Sequence, residues 1–227
     1  MILRAVLILM LVTACGRSLT VSEKAFALSI HGDQLDVSRV RLVKGAPVGS
    51  VTFKRKARPR LACRERILPP GKAEIVTVSP AAVTLFNKVY FTQDWYATNY
   101  QPDYPERIHL IAAMLFAHEM THVWQWQNRA RTGYSPLRAA AEHGQSDDPY
   151  LFDLAGAPDF LTYGYEQQGA IVEEYVCCRA LDPDAARTKR LHSMLSGAFP
   201  VSDSPGAWKG ADVKVPWKDA KIKGICT

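Results

Sequence analysis

One stretch of the sequence, residues 108–126, limits the fold more than any other. Its apolar residues recur at spacings of three and four, which is the period of an α-helix. Between residues 110 and 126, Glu119 is the only residue that is charged at neutral pH. A helix that is apolar nearly all round is a buried helix. The sequence therefore predicts a central helix that packs on all sides and carries one carboxylate.

The same helix contains the pattern His118-Glu-Met-Thr-His122. Residues four apart on a helix project from one face, so both imidazoles can reach a single ion, and imidazole suits Zn²⁺. Glu119 stands beside the first histidine, where a carboxylate can take a proton from a metal-bound water. A buried carboxylate that is neither paired nor part of a metal site is costly. The pattern therefore favours a zinc site over histidines that merely hydrogen-bond to neighbours.

A catalytic zinc site usually has three protein ligands, and the third is expected on a helix predicted over roughly residues 163–181. Glu166 and Glu173 lie two turns apart on one face of that helix, with Gly169 between them where another helix could approach closely. Glu166 is the preferred third ligand. Glu173 is the alternative ligand, and it otherwise suits a supporting role in which it orients a histidine through the free ring nitrogen.

These segments resemble an uncharacterised family of bacterial zincin-like proteins. The resemblance is carried by Ala117-His-Glu-Met-Thr-His-Val-Trp-Gln-Trp-Gln127 and by Glu166-Gln-Gln-Gly-Ala-Ile-Val172. It extends back through residues 83–91, which resemble the family's strand before the active-site helix, and it covers roughly residues 37–175. Members of the family are regarded as metallopeptidases, some of them Vgr-related and some encoded near phage-tail-like injection systems.

The resemblance implies zinc at His118 and His122, Glu119 as the catalytic acid and base, and Glu166 as the third ligand. Gly169 departs from the alanine expected at its position, which we expect to affect helix packing more than chemistry. The resemblance names no substrate.

The sequence thus predicts a zinc-dependent hydrolase, specifically a gluzincin-like metallopeptidase that acts on a peptide or protein with Glu119 as general base. By the same resemblance, the strand that ends at Phe91 could pair with an extended substrate. The candidates for a hydrogen-bond donor to the transition state are Tyr163, Tyr165, Tyr175 and His143.

Two other classes of function stay open. One is a metal-stabilised, non-catalytic binding or scaffold lipoprotein, and Glu119 argues against it because a structural zinc site needs no such carboxylate. The other is a secreted effector component, which is suggested by the injection-system genes beside some relatives.

The first residues predict export. Residues 1–14 are a short apolar stretch behind Arg4 that ends in small residues, as a signal peptide does. Val12-Thr-Ala-Cys15 resembles the lipobox of bacterial lipoproteins, in which the cysteine is lipidated and becomes the mature N-terminus. The alternatives are a buried N-terminal helix and an uncleaved signal followed by a chance cysteine. Gly16 follows it in place of an inner-membrane retention signal such as aspartate, and the resemblance to diderm lipoproteins therefore favours an outer-membrane address. We therefore expect a protein of the cell envelope, in the periplasm or at the outer membrane, with a lipid anchor at Cys15.

Four cysteines remain beyond the signal peptide, namely Cys63, Cys177, Cys178 and Cys226. In an exported protein they predict two disulfides, for which three connectivities are possible. Adjacent side chains on a helix diverge by about 100°, so Cys177 and Cys178 are expected to have different partners.

The chain has 28 basic and 22 acidic residues, and much of the basic excess lies between Lys54 and Arg66. Behind a signal peptide this segment favours a solvated basic loop, with anionic lipid head groups or envelope polyanions as alternative contacts. No nucleic-acid partner is predicted.

The remaining pattern predicts an α+β fold. Alternating apolar residues with Gly and Pro between them indicate strands from about residue 21 to residue 91, including residues 26–30. Helices are expected to begin at Asp103, Ser135 and Asp182, and no βαβ alternation is present. We expect one zincin-like domain over residues 20–227. Its small β-rich N-terminal half would pack on a helical C-terminal half that carries the metal site, with an irregular tail from about residue 202.

Overall fold

The computed structural model describes residues 16–46, 53–153, 159–202 and 208–227. The predicted signal peptide and Cys15 lie outside the described residues, so the lipid anchor stays a prediction. Within the described ranges, no helix combines the length and the apolar character needed to cross a membrane.

Helices and short strands alternate irregularly along the chain. The helices are α1 Val21–His31, α2 Cys63–Arg66, α3 Leu110–Gln127, α4 Arg129–Thr132, α5 Pro136–Gln145, α6 Tyr165–Leu181 and α7 Ala186–Ser196. The strands are β1 Arg41–Lys44, β2 Phe53–Lys56, β3 Ile75–Val78, β4 Ala82–Leu85, β5 Lys88–Phe91, β6 Arg107–His109 and β7 Asp212–Lys214. The architecture is mixed, with most strands before α3 and most helices from α3 onward. The zincin-like assignment stays a prediction.

The described strands form three small sheets. In the first, β5 is the central strand, parallel to β1 and antiparallel to β4. In the others, β2 pairs antiparallel with β3, and β6 pairs parallel with β7. Residues 83–91, expected to form one strand, therefore form a hairpin that turns at Phe86, whose φ is 61°. Among the described strands β5 has a neighbour on each side, so the expectation that it pairs with substrate is wrong; β4 and β1 are the outer strands of this sheet.

Residues 26–30 are helical rather than extended. The Thr20 side chain accepts a hydrogen bond from the Glu23 N–H, and the Glu23 carboxylate accepts one from the Thr20 N–H, which forms a capping box at the start of α1. Phe26, Ala27 and Ile30 are buried, at spacings that place them on one helix face toward α3. The alternation in the sequence fits a strand as well as a helix over so few residues, and the cap decides in favour of the helix.

The other helices lie close to their predicted positions but differ at their starts. Ser135 caps α5 as expected. Asp103 does not cap α3, because the segment Arg107–His109 forms β6 first. The Asp103 carboxylate instead lies 3.0 Å from Nε2 of His109, the last residue of that strand. Asp182 does not cap α7, whose N-cap residue is Ala185.

Two disulfides join distant segments to α6. Cys63 on α2 is bonded to Cys177, and Cys226 in the C-terminal tail is bonded to Cys178. The two adjacent cysteines therefore have different partners, as predicted. The tail also contributes β7 and the buried Trp208, so it is more ordered than expected.

The core forms around α3. Ala113, Phe116, Met120 and Val123 are buried on this helix, which contacts α1, α6, β4 and β5. The long contact between α3 and α6 places the two histidines of α3 opposite Glu166.

Candidate metal centre

His118, His122 and Glu166 bring three potential ligand atoms together, and all three side chains are buried. His118 Nε2 lies 3.1 Å from His122 Nε2 and 3.3 Å from Glu166 Oε2, and His122 Nε2 lies 3.4 Å from the same oxygen. A tetrahedral zinc ion with bonds of about 2.0–2.1 Å separates its ligand atoms by about 3.3–3.4 Å. The three atoms therefore have the spacing of one face of a zinc coordination tetrahedron and could hold such an ion.

Two glutamines fix the His122 ring. His122 Nδ1 lies 2.8 Å from Gln125 Oε1, while the Gln125 amide nitrogen donates to Gln168 Oε1 at 2.9 Å and to the Tyr165 carbonyl oxygen at 3.1 Å. With its nitrogen committed as a donor, Gln125 presents its oxygen to the ring, so in the neutral ring that a metal would bind His122 Nδ1 carries the proton and Nε2 keeps its lone pair. Sequence reasoning missed Gln125, although its position one turn after His122 is a signal for such a contact.

A carboxylate supports His118 from behind. Glu173 Oε1 lies 3.0 Å from His118 Nδ1, off the line of the N–H, so the contact is an ion pair rather than a linear hydrogen bond. The other oxygen of Glu173 accepts a hydrogen bond from Arg64 Nη1 at 2.7 Å. Glu173 thus contacts the far side of the ring, while Glu166 is the carboxylate next to both Nε2 atoms. Of the two roles considered for Glu173, this geometry favours the supporting one.

Gly169 lets α6 approach the His118 ring. A Cβ at this position would lie 2.5 Å from His118 Cε1 and 2.7 and 2.8 Å from its ring nitrogens, closer than real Cβ contacts. The alanine expected from the family resemblance would not fit this arrangement. The glycine therefore bears on the site itself and not only on helix packing.

Glu119 lies next to the ligand triangle without being part of it. Its side chain is buried, and its Oε2 accepts a hydrogen bond from Thr84 Oγ1 at 2.6 Å. Thr84 belongs to the edge strand β4, and this hydrogen bond fixes the orientation of the Glu119 carboxylate. The arrangement suits a proton acceptor at the wall of the site.

Glu142 on α5 holds the first turn of α6. Its two carboxylate oxygens accept hydrogen bonds from the backbone N–H groups of Tyr165 at 2.8 Å and Glu166 at 3.0 Å. N–H groups at a helix start lack acceptors within the helix, and the helix dipole favours a negative charge there. Glu142, which is not among the site residues predicted from the sequence, thus positions the backbone of the third candidate ligand.

The carboxylates make the centre favourable for positive charge. Burial opposes protonation of His118, but Glu166 and Glu173 outweigh it and raise the pKa of His118 to about 10. Burial likewise opposes protonation of His122, but the nearby Glu166 carboxylate raises the pKa of His122 above its usual value. Burial alone would raise the pKa of Glu173, yet Arg64 and His118 lower it to about 2. The histidines also hold the pKa of Glu166 below its usual range despite burial. A bound metal cation would balance the negative charges of Glu166 and Glu173 in place of the protons on His118 and His122.

A cavity of about 470 Å³ opens onto the centre and is lined there by His118, Glu119 and Glu173. Part of its lining is apolar and comes from β3, from the segment that leads into β4, and from α3 through Ile111, Met114 and Leu115. Another part comes from the arginine-rich segment before α2. The cavity could therefore accept an apolar side chain close to the candidate metal ligands.

Tyr150 lines this cavity beside His118. The two ring centroids are 5.8 Å apart, and the Tyr150 hydroxyl lies 3.2 Å from His143 Nε2. Burial and the charges of Glu166 and Glu119 raise the pKa of Tyr150, so its hydroxyl stays protonated and can donate a hydrogen bond. Sequence reasoning did not single out Tyr150.

The tyrosines proposed from the sequence lie elsewhere. The hydroxyl of Tyr163 donates to the Asp153 carbonyl oxygen at 2.6 Å, and that of Tyr165 donates to the Thr132 carbonyl oxygen at 3.4 Å. Tyr175 is enclosed in the core. Within the described chain, none of these three tyrosines lines the cavity, and His143 reaches it only through Tyr150.

Most arginines of the basic segment are anchored by the protein. Arg58 donates to both carboxylate oxygens of Asp148 at 2.6 and 2.7 Å, and Arg60 donates to two backbone carbonyl groups. The side chains of Arg58 and Arg64 are only 13% and 9% exposed. The expectation of a solvated basic loop is therefore wrong for these residues, which form a wall of the cavity.

Comparisons with known proteins relate the chain to a secretion-system effector. No family model matches it. It is 25% identical over 187 residues to the type VI secretion system spike protein VgrG2b of Pseudomonas aeruginosa, a match that covers 82% of this chain and 15% of that protein. Among solved structures it is similar to the effector domain of Pseudomonas aeruginosa VgrG2b, with a TM-score of 0.50 and 25% identity, over 81% of this chain and 84% of that one.

The chain thus corresponds in extent to an effector domain and spans a small part of the spike protein. This similarity supports the association with injection systems that the sequence resemblance predicted. The zincin-like and metallopeptidase parts of that resemblance stay predictions.

Proposed function

We propose that this protein is an effector component that acts as a zinc-dependent peptidase. The observation that carries the proposal is the triangle of His118 Nε2, His122 Nε2 and Glu166 Oε2, whose sides of 3.1, 3.3 and 3.4 Å fit a zinc ion. Similarity to the VgrG2b effector domain supports the effector role. Glu119 supports catalysis over a purely structural zinc site, which would need no carboxylate beside its ligands.

Zinc, when bound, would supply Lewis acidity that polarises a carbonyl group and makes a water molecule more acidic. Glu119 accepts the proton of the attacking water and passes it to the leaving amine. Thr84 keeps the carboxylate in position for both transfers through its 2.6 Å hydrogen bond. Tyr150, which lines the cavity and stays protonated, donates a hydrogen bond to the oxyanion that develops on the scissile carbonyl.

Two features favour a peptide as the substrate. β4 is an edge of its sheet and carries Thr84, the hydrogen-bond partner of Glu119. The edge of a sheet presents backbone groups with which an extended peptide can pair. Ala82 of β4 and the apolar residues of α3 line the cavity, so an apolar side chain of that peptide would have a place to bind.

Export fits this function. The two disulfides are typical of an oxidising compartment, and the relative is a secretion-system protein. A signal peptide followed by a lipid anchor at Cys15 would place the protein in the cell envelope, where protein substrates are accessible. Labelling with a radioactive fatty acid, lost in Cys15→Ser, tests the anchor.

The central test compares the wild type with Glu119→Gln, with Glu106→Gln as a control at an exposed carboxylate. Zinc per chain is measured by elemental analysis of protein prepared without chelator, and cleavage is measured on a peptide library. We expect equal zinc in all three proteins and a loss of cleavage of about 10²–10⁴-fold in Glu119→Gln alone. Zinc-free wild-type protein contradicts the metal site. Zinc-loaded wild type that cleaves nothing favours the non-catalytic binding protein.

A further inference from the structure

The arginine that supports the candidate metal centre belongs to a very short helix. α2 spans Cys63–Arg66, and a helix of this length is not stable by itself. Arg64 on α2 donates to Glu173 at 2.7 Å, and Glu173 in turn lies 3.0 Å from His118 Nδ1. The orientation of the His118 ring therefore depends on where α2 is held.

The Cys63–Cys177 disulfide holds α2 against α6. The backbone N–H of Cys63 also donates to both carboxylate oxygens of Glu174, at 2.8 and 3.0 Å. Arg64 follows Cys63 directly, and Glu173 precedes Cys177 by one helical turn, so the disulfide and the Arg64–Glu173 ion pair are neighbouring links between the same two helices. The disulfide joins residues 114 apart in sequence, so no local connection would restore the contact.

The neighbouring links on α6 contact neither Arg64 nor Glu173, although Arg187 and Glu174 also hold the backbone around Cys63. The Cys178–Cys226 disulfide joins α6 to the C-terminal tail. Arg187 pairs with Glu174 at 3.0 Å, much as Arg64 pairs with Glu173, but Glu174 faces the backbone of Cys63 rather than a histidine. α6 thus offers a matched disulfide and a matched ion pair as controls.

We infer that Arg64 is a positioning residue for His118 and that the Cys63–Cys177 disulfide keeps Arg64 in contact with Glu173. The zinc affinity of the protein therefore depends on whether this disulfide is oxidised or reduced. The inference rests on the proposed metal site. A dithiol reductant gives two electrons and two protons to the S–S bond, which leaves two protein thiols and turns the reductant into a cyclic disulfide. α2 then separates from α6, Arg64 leaves Glu173, and His118 loses its fixed orientation. The protein binds zinc tightly in an oxidising compartment and weakly in the reducing cytosol.

The first test measures zinc affinity by competition with a chromophoric chelator, on the full chain. It compares the oxidised wild type with the double variants Cys63→Ser/Cys177→Ser and Cys178→Ser/Cys226→Ser. Serine variants are preferred to reduction because the sulfur atoms of Cys63, Cys178 and Cys226 lie within 4.8 Å of one another and could bind zinc as thiols. We expect a loss of about 10–100-fold in the first variant and less than about 3-fold in the second. Equal affinities of the two variants overturn the inference.

A second variant keeps the disulfide and so guards against a failure to fold. Arg64→Ala is expected to lower zinc affinity by about 10-fold or more, with partial rescue in Arg64→Lys, while Arg187→Ala stays close to wild type. A merely structural role would give similar losses for Arg64→Ala and Arg187→Ala, and that result contradicts the positioning role.

A third measurement needs neither zinc nor cleavage. In ¹⁵N–¹H spectra of the metal-free oxidised wild type, the buried His118 Nδ1 proton, beside its ion-pair partner Glu173, is expected to give a separate, slowly exchanging signal. This signal should disappear in Arg64→Ala and remain in Arg187→Ala. An unchanged signal in both variants overturns the positioning role, whereas a wild type that shows the signal and binds no zinc contradicts the proposed function instead.

Discussion

Gly169 sets the distance between α6 and the His118 ring, so a single methyl group at this position should disturb the centre. In Gly169→Ala the new Cβ would meet ring atoms at 2.5–2.8 Å, and either the ring or the helix has to move. Such overpacking costs about 1–3 kcal/mol, and a displaced His118 no longer completes the ligand triangle. We expect zinc affinity to fall by about 10-fold or more, measured by chelator competition.

Gly144→Ala is the matched control for that substitution. Gly144 is also helical, near the end of α5, but a Cβ there would meet nothing within 4 Å. Alanine favours the helix by up to about 1 kcal/mol relative to glycine, so this variant should keep its zinc affinity and lose no stability. If both variants bind zinc as well as wild type, the close contact at Gly169 does not limit the position of His118.

Helical spacing places His118 and His122 on one face, but it leaves Glu166 and Glu173 together on another helix, and the family resemblance favours Glu166. The sequence could not predict the role of Arg64, which lies 109 residues before its partner Glu173 in a segment that was expected to be a solvated basic loop. Tyr150 was missed for a similar reason, since only the packing of a loop against α3 brings it beside His118. Residues that support the ligands come from distant segments, and local patterns do not carry that information.

Among the elements, α5 fixes the start of α6 through Glu142, and this contact can be tested separately from the ligands. Glu142→Gln replaces one of the two oxygens that accept from Tyr165 and Glu166 with a donor, which opposes the N–H it faces. We expect a loss of about 1 kcal/mol in the free energy of unfolding, as for other helix caps, and weaker zinc binding. Denaturant titration and chelator competition measure the two effects.

The control for Glu142 is Asp147→Asn, which removes an exposed carboxylate just beyond the same helix. It changes the net charge equally but contacts no N–H group of the first turn of α6. An equal loss of stability in both variants would mean that charge alone is responsible and that Glu142 does not act as a cap.

Element types were predictable where one period ran for several turns, as in α3 and α6. Predictions of element type were wrong in short segments, where the helical and the strand period fit the apolar residues equally well. In α1 the decisive signal was Thr20 with Glu23 three residues later, a capping pattern that outweighs the alternation of Phe26 and Ile30. β6 could not be predicted, because its only partner strand, among those the structure describes, is β7 from the other end of the chain.

At the scale of the whole molecule, the sheets among the described residues are small, and two of them contact the central helix α3. Small sheets of short strands need packing against other elements to be stable, and β4, β5 and β6 contact α3. The buried His31 belongs to this packing, since its Nε2 lies 3.0 Å from Thr121 Oγ1 and links α1 to α3. A proton on this ring would put a charge inside the core.

His31 therefore makes the stability of the molecule depend on pH in a definite window. Burial lowers the pKa of His31 to about 3, while an unfolded histidine has a pKa of about 6.5. Below pH 6.5 the unfolded chain binds a proton that the folded chain does not, so stability falls as the pH drops. Between pH 6 and pH 5 we expect a loss of about 1 kcal/mol from this residue.

Between pH 6 and pH 5, the effect of His31 on the stability of the metal-free protein can be measured separately from that of the candidate metal ligands. The pKa values of His118 and His122 are raised, so both rings are protonated in the folded and unfolded states over most of this range. The depressed pKa values of Glu166 and Glu173 matter only at lower pH, where unfolded carboxylates take up protons.

Guanidinium unfolding of wild type and His31→Gln at pH 6 and pH 5 measures the contribution of His31. Glutamine keeps a donor for Thr121 but cannot titrate, so the variant should lose less stability on acidification than wild type; an equal loss would assign the pH dependence to other groups.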